Sequence, residues 1–106
     1  MVKDYEHLRH ASPEDFRNYF EETSYRESPG NNLRRTCTRG KLYVIARDFA
    51  GYNNYFLTKM FGNDNIQSIR TLIGYTKRKH YVNDNLNEIA DAIEYYLKKK
   101  REIWFI

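Results

Sequence analysis

The expected fold class depends on residues 36–46, which read TCTRGKLYVIA. β-branched residues precede Arg39-Gly40, and an almost unbroken apolar run over residues 42–46 follows. Because Gly40 allows the positive φ of a tight turn, the pattern is typical of a β-hairpin. An apolar run without alternation favours a strand covered on both faces. The sequence therefore predicts a hairpin around residues 34–47, at the centre of a small antiparallel sheet.

The segment before this hairpin predicts a helix. Ser12 supplies an N-cap, Pro13 occupies the first helical position, and Asp15 completes a capping box. An aromatic stripe follows at helical spacing, formed by Phe16, Tyr19 and Phe20 with Thr23. Residues 28–32, SPGNN, are turn-forming throughout and end this helix.

Two segments after the hairpin have less distinctive patterns. Residues 52–61 predict a short helix, since their aromatic side chains recur on one side. Residues 66–73 fit a helix, but residues 68–75 also alternate like a strand, and periodicity does not separate the two. We favour the helix, followed by a basic loop at residues 77–79 and a further short strand near residues 80–82.

The C-terminal part of the chain has the clearest pattern. Asn85 and Glu88 form a capping box, and an apolar stripe follows at helical spacing. Acidic residues near its start and basic residues near its end suit the helix dipole. We predict a long helix over residues 86–101 that packs across the sheet. The apolar residues 103–106 are expected to pack on the core, add an edge strand or contact a partner chain.

Length and composition restrict the class of protein. A chain of 106 residues fits one globular domain, residues 1–106. Aromatic residues make up 16% of it, which argues for a packed core and against disorder. The apolar runs are too short to span a membrane, and one cysteine favours a reducing compartment. The sequence thus predicts an α+β protein of the cytoplasm, or of the host-cell cytoplasm if a virus encodes it.

Charge is distributed unevenly along the chain, whose formal net charge is +4. Residues 1–25 contain three bases and six acids, a balance of −3, whereas residues 26–106 contain 15 bases and 8 acids, a balance of +7. An excess of positive charge favours a polyanionic partner such as nucleic acid. The alternative is that the basic residues only keep a small protein in solution.

The basic residues of the later segment concentrate in two predicted turns, with tyrosines between them. Cations contact phosphate and flat rings stack on unpaired bases, so this combination suits a nucleic-acid-binding protein. The predicted site consists of Arg34, Arg35, Arg39, Lys41, Arg47, Lys77, Arg78 and Lys79 with Tyr43 and Tyr75. The alternative is a solvated hairpin whose arginine stems cover apolar surface. The sequence carries none of the RNA-recognition, KH or zinc-finger motifs.

Two other functions compete with nucleic-acid binding. A protein-interaction module, such as an inhibitor, an adaptor or a homodimer, would explain the many tyrosines and the apolar residues 103–106. A metal-free nuclease would use His80, beside the basic residues 77–79, to move protons. Because the nuclease has one candidate residue and the binding functions have many, the sequence favours a binding protein over an enzyme.

Two further groups of residues are candidates for chemical sites. His7 and His10 would share one face of a helix, but a metal site needs further ligands that the neighbouring sequence does not supply. We therefore expect no metal and no cofactor. Cys37 lies near arginines that would favour a thiolate, yet no histidine base is close to it in sequence. We expect a strand cysteine that packs as a small hydrophobic residue.

Overall fold

The protein has a helical fold. Its structure is a computed structural model that describes residues 5–23, 25–27, 33–35, 37–79 and 84–104. Its helices are α1 (Glu6–Arg9), α2 (Pro13–Thr23), α3 (Arg39–Val44), α4 (Asn54–Met60), α5 (Ile66–Lys79) and α6 (Asp84–Trp104). A π-helical segment, Ile45–Phe49, continues α3 directly. Two three-residue strands, β1 (Tyr25–Glu27) and β2 (Leu33–Arg35), pair in antiparallel register.

The α+β fold predicted from the sequence is wrong, because the expected central hairpin is helical. Thr38 is the N-cap of α3, and its Oγ1 accepts a hydrogen bond from the Lys41 amide at 3.2 Å. All five side chains from Leu42 to Ala46 are buried. A helix buried on all sides shows the same unbroken apolar run as a central strand, so the run did not distinguish the two. In the described part of the chain, strand pairing is confined to β1 and β2.

Gly40 serves helix packing rather than a turn. It lies buried within α3, where α3 packs on α5. A Cβ added at this position would overlap Thr76 Oγ1 and lie 3.3 Å from Leu72 Cγ. The absence of a side chain therefore lets the two helices approach, which is a second use of glycine beside positive φ.

Besides α3, three further helices begin with a capping side chain. At α2 the capping box predicted from the sequence is confirmed, since the Asp15 amide donates to Ser12 Oγ at 3.1 Å and the Ser12 amide donates to Asp15 Oδ2 at 2.9 Å. Asn53 Oδ1 accepts from the Phe56 amide at 3.1 Å and so caps α4, the helix predicted over residues 52–61. Asn65 Oδ1 accepts from the Ser68 amide at 3.1 Å and caps α5.

α5 and α6 are the two longest helices. The segment with two open interpretations is helical and continues through Lys79, so the expected basic loop at residues 77–79 is instead the last turn of α5. The strand predicted near residues 80–82 lies outside the described residues. α6 contains the predicted helix 86–101 and runs on to Trp104. Among the described residues, no helix has both the length and the apolar composition of a membrane span.

The hydrophobic core takes side chains from all six helices. One buried residue from each, in chain order, gives the set Leu8, Phe16, Leu42, Leu57, Ile69 and Ile93. Tyr52 stacks on Phe56, with ring centroids 3.7 Å apart. The Tyr52 hydroxyl lies 2.9 Å from Leu8 O and 2.8 Å from Ala11 O, where its single proton is shared. This hydroxyl therefore links Tyr52, which precedes α4, to α1 and to the segment between α1 and α2.

Candidate nucleic-acid interface

The structure separates the residues of the predicted basic hairpin. Arg34 and Arg35 belong by backbone to β2, and their side chains lie outside the described part. Arg39 begins α3, and its Cζ lies 4.9 Å from the ring centroid of Phe61, a cation–π contact. The side chain of Tyr43 is 2% exposed, and burial raises the pKa of its hydroxyl. A ring buried in the core cannot stack on a base.

The other predicted site residues lie on or near α5. Lys41 is half-buried in α3, and Arg47 is exposed in the π-helical segment. Lys77 forms an ion pair with Asp48, with Nζ 2.9 Å from Oδ2. Arg78 and Tyr75 are exposed on α5. The side chain of Lys79 and the whole of His80 lie outside the described residues.

α5 brings a set of polar side chains together on one outer face. Its inner face, which includes Ile69, Ile73 and Thr76, is buried against the other helices. Its outer residues line a shallow recess in the surface. We call this recess the α5 basic face, formed by Gln67, Arg70, Thr71, Gly74 and Arg78. The sequence of α5 contains no aspartate and no glutamate, so the helix itself supplies no carboxylate to this face.

Two arginines flank a glycine on this face. Arg70, Gly74 and Arg78 are spaced by four residues, so they lie one above another along the helix. With a rise of about 1.5 Å per residue, the Cα atoms of the two arginines are about 12 Å apart. Arg78 Nη1 lies 3.5 Å from the point that a Cβ of residue 74 would occupy. The guanidinium of Arg78 therefore reaches back over Gly74.

The two arginines differ in their surroundings from the neighbouring lysine. Lys77 is neutralised by Asp48, whereas neither Arg70 nor Arg78 forms an ion pair within the described residues. Both side chains are exposed, and each guanidinium keeps its donors available for an anion. The charged groups of the α5 basic face are thus two arginines, neither of them in an ion pair with a described residue.

Sequence reasoning named Arg78 but missed the rest of the α5 basic face. Gln67, Arg70, Thr71 and Gly74 are neighbours only on a helix, and the sequence left helix and strand open over part of this segment. One available signal was the absence of carboxylates over residues 66–79, a stretch that contains four basic residues.

The two N-terminal histidines take part in a different arrangement. The amides of His7 and Leu8 donate to the Glu94 carboxylate at 3.0 and 2.9 Å. Arg101 Nη1 donates to His7 Nδ1 at 2.7 Å, and Arg101 Nη2 donates to His10 O at 3.0 Å. We call these four bonds the α1–α6 contact. Within the described ranges, no three side chains of the ligand types His, Cys, Asp and Glu lie close enough to hold a metal ion.

Cys37 is buried, as predicted, but it precedes the N-cap of α3 instead of lying in a strand. Burial raises the pKa of its thiol to about 12, with a small opposing effect from Lys41. The thiol stays protonated, and its Sγ donates to Thr38 O at 3.6 Å. This environment disfavours a thiolate nucleophile.

The α5 basic face and the α1–α6 contact are therefore two polar arrangements with different contents. The charged residues of the first are exposed and basic, and the second joins two helices through carboxylate, guanidinium and imidazole groups. The chain matches no protein-family model, no curated protein and no solved structure.

Proposed function

We propose that the protein binds nucleic acid and that the α5 basic face contacts the phosphate backbone. One observation carries the proposal: Arg70 and Arg78 are exposed on a 14-residue helix that contains no carboxylate. Guanidinium groups bind phosphate through two parallel hydrogen bonds, and neutralising phosphates releases counterions. A surface helix with this composition is suited to a polyanion.

The shape of the site favours a duplex over a single strand. A straight row of polar side chains on a rigid helix can lie along the regular phosphate backbone of a duplex, where arginines contact phosphate and fix the register. From Gln67 to Arg78 the α5 basic face extends about 16 Å along the helix axis. A single strand would instead require rings for stacking. Of the two tyrosines predicted for that role, Tyr43 is buried and only Tyr75 is exposed.

The test is a titration of the protein with duplex DNA, duplex RNA and single strands at two salt concentrations. We expect the wild type to bind duplex at low salt, with an affinity that falls steeply as salt rises. Arg70→Ala combined with Arg78→Ala should lower the slope of log K against log salt, by about 0.9 for each phosphate contact that is lost.

A matched control removes the same charge from another helix. Lys98 and Lys99 are exposed on α6, and their double replacement by alanine also removes two positive charges. Since these lysines lie outside the α5 basic face, the control should keep most of the wild-type slope. The proposal fails if the wild type does not bind at low salt, or if both double variants lose the same slope.

A protein partner is the alternative function, and one observation favours it. Leu72 is 36% exposed and Tyr75 is 53% exposed, beside the α5 basic face. Tyrosine is enriched at the centres of protein interfaces. Replacement of Leu72 and Tyr75 by serine should abolish binding to such a partner, whereas salt should have little effect on it. The salt series therefore separates the two functions.

A further inference from the structure

We infer that the gap at Gly74, between the side chains of Arg70 and Arg78, seats one backbone phosphate of the nucleic acid. The inference rests on the proposed function and adds the position where the ligand approaches the helix most closely. We call this position the Gly74 notch. It is the part of the α5 basic face that has no side chain of its own.

Packing does not explain a glycine at position 74. A Cβ there would meet only Arg78 Nη1, at 3.5 Å, which is an ordinary van der Waals contact with the end of a flexible side chain. At Gly40, by contrast, a Cβ would overlap Thr76 Oγ1 inside the α3–α5 contact. Glycine in the interior of a helix is less favourable than alanine. Gly74 therefore lowers the stability of α5 without serving the fold.

A ligand does explain it. Glycine allows another group to approach the helix backbone closely, and Arg70 and Arg78 are attached one helical turn before and after it, on the same recess. Both forks of donors can then turn toward one anion, the geometry in which arginine binds phosphate most specifically. A methyl group at position 74 would stand between them and hold the phosphate away.

The inference predicts opposite effects of Gly74→Ala on stability and on binding. The melting temperature should rise by roughly 4–8 °C, because alanine is the better helix former. Affinity for duplex should fall about tenfold at fixed salt, the loss expected for one charge-assisted hydrogen bond. The salt slope should fall by about 0.9, which corresponds to one phosphate contact.

Ser68→Ala is the matched control for the change in helix stability. Ser68 is exposed on α5, and its side chain does not line the α5 basic face. The variant should also be more stable, because alanine favours a helix more than serine does, yet it should bind duplex like the wild type. The pair of variants separates filling of the Gly74 notch from stiffening of α5.

Each outcome supports or overturns the inference. Higher stability with weaker binding for Gly74→Ala, and unchanged binding for Ser68→Ala, supports it. If Gly74→Ala binds like the wild type while the double arginine variant does not, the notch is wrong and the proposed function stands. If both alanine variants lose binding equally, or if Gly74→Ala is less stable, the notch is also wrong. If the wild type binds no nucleic acid, both proposals fall together.

Discussion

Helices α5 and α6 have similar inner faces and different outer faces. Isoleucines are buried on both, at positions 69 and 73 of α5 and at positions 89 and 93 of α6. On α6 two charged side chains form hydrogen bonds to another element: Glu94 accepts from, and Arg101 donates to, the backbone at α1. On α5 the arginines Arg70 and Arg78 form no ion pair with a described residue. Charged residues on one helix thus stabilise the fold, and those on the other remain available to a ligand.

The inner faces should be equally sensitive to truncation. Ile73 is 3% exposed and Ile93 is fully buried, so replacing either with alanine leaves a cavity in the core. We expect each variant to lose about 2–5 kcal/mol of unfolding free energy, measured by urea denaturation. Tyr95→Ala, at a residue that is 63% exposed on α6, is the control and should change stability far less. Wild-type stability in either isoleucine variant would contradict the shared core.

The contact that buries the inner face of α5 depends on Gly40. Gly40→Ala should destabilise the protein by about 1–3 kcal/mol, even though alanine is the better helix former, because the new methyl overlaps Thr76 Oγ1. Thr76→Ala removes that oxygen. The double variant should therefore be more stable than the sum of the single changes predicts, in a double-mutant cycle of thermal unfolding. Simple additivity would show that Thr76 does not limit the approach of the two helices.

The outer faces should respond differently to loss of charge. Glu94→Ala leaves the amides of His7 and Leu8 without their acceptor, which should cost about 1–3 kcal/mol. Arg70→Ala should change the unfolding free energy by no more than about 0.5 kcal/mol, as expected for an exposed position without such a role. A larger loss for Arg70→Ala than for Glu94→Ala, in denaturant titrations, would reverse the comparison.

The smallest effect concerns a surface cluster that joins α6 to α2. Tyr96 OH donates to Glu22 Oε2 at 2.7 Å and Lys100 Nζ donates to Glu22 Oε1 at 3.1 Å, so the pKa of Glu22 is lowered, first by Tyr96 and then by Lys100. The carboxylate therefore contributes stability above the pKa it has in the unfolded chain, and this contribution is lost as pH falls through the folded pKa. Because the cluster is exposed, we expect less than about 1 kcal/mol.

Two variants test this cluster. The stability difference between the wild type and Glu22→Gln should shrink when the pH is lowered from neutral to strongly acidic values. Tyr96→Phe should move the pKa of Glu22 up toward its ordinary value, which an NMR titration of the carboxyl carbon measures directly. An unchanged pKa would show that the Tyr96 hydroxyl does not bind the carboxylate in solution.

Local signals in the sequence predicted where helices begin more reliably than the apolar pattern predicted the fold class. The capping pair Ser12 and Asp15 is confirmed because a cap is a contact between near neighbours. The N-cap predicted at Asn85 is wrong, since α6 already begins at Asp84. The run from Leu42 to Ala46 misled because its surroundings come from distant parts of the chain. A strand and a buried helix satisfy the same apolar pattern, and only the packing partners distinguish them.

The candidate site was partly predictable for the same reason. Lys77 and Arg78 stand in a basic run that is visible without any structure. Arg70 and Gly74 join Arg78 only when residues 66–79 form a helix, because helical geometry aligns positions four residues apart. Tyr43 is buried because residues 39–44 form a helix inside the core, whereas on a strand alternate side chains can face solvent.

The α1–α6 contact also sets how α1 opens. A four-residue helix is far too short to be stable alone, so α1 persists only while other elements hold it. The amides of His7 and Leu8 donate to Glu94, 87 and 86 residues away in sequence, and not to a carbonyl of their own helix. Their exchange with solvent deuterium therefore requires these two bonds to break, either by opening of α1 away from α6 or by global unfolding. These two amides are a built-in reporter of local opening, readable without any change to the chain.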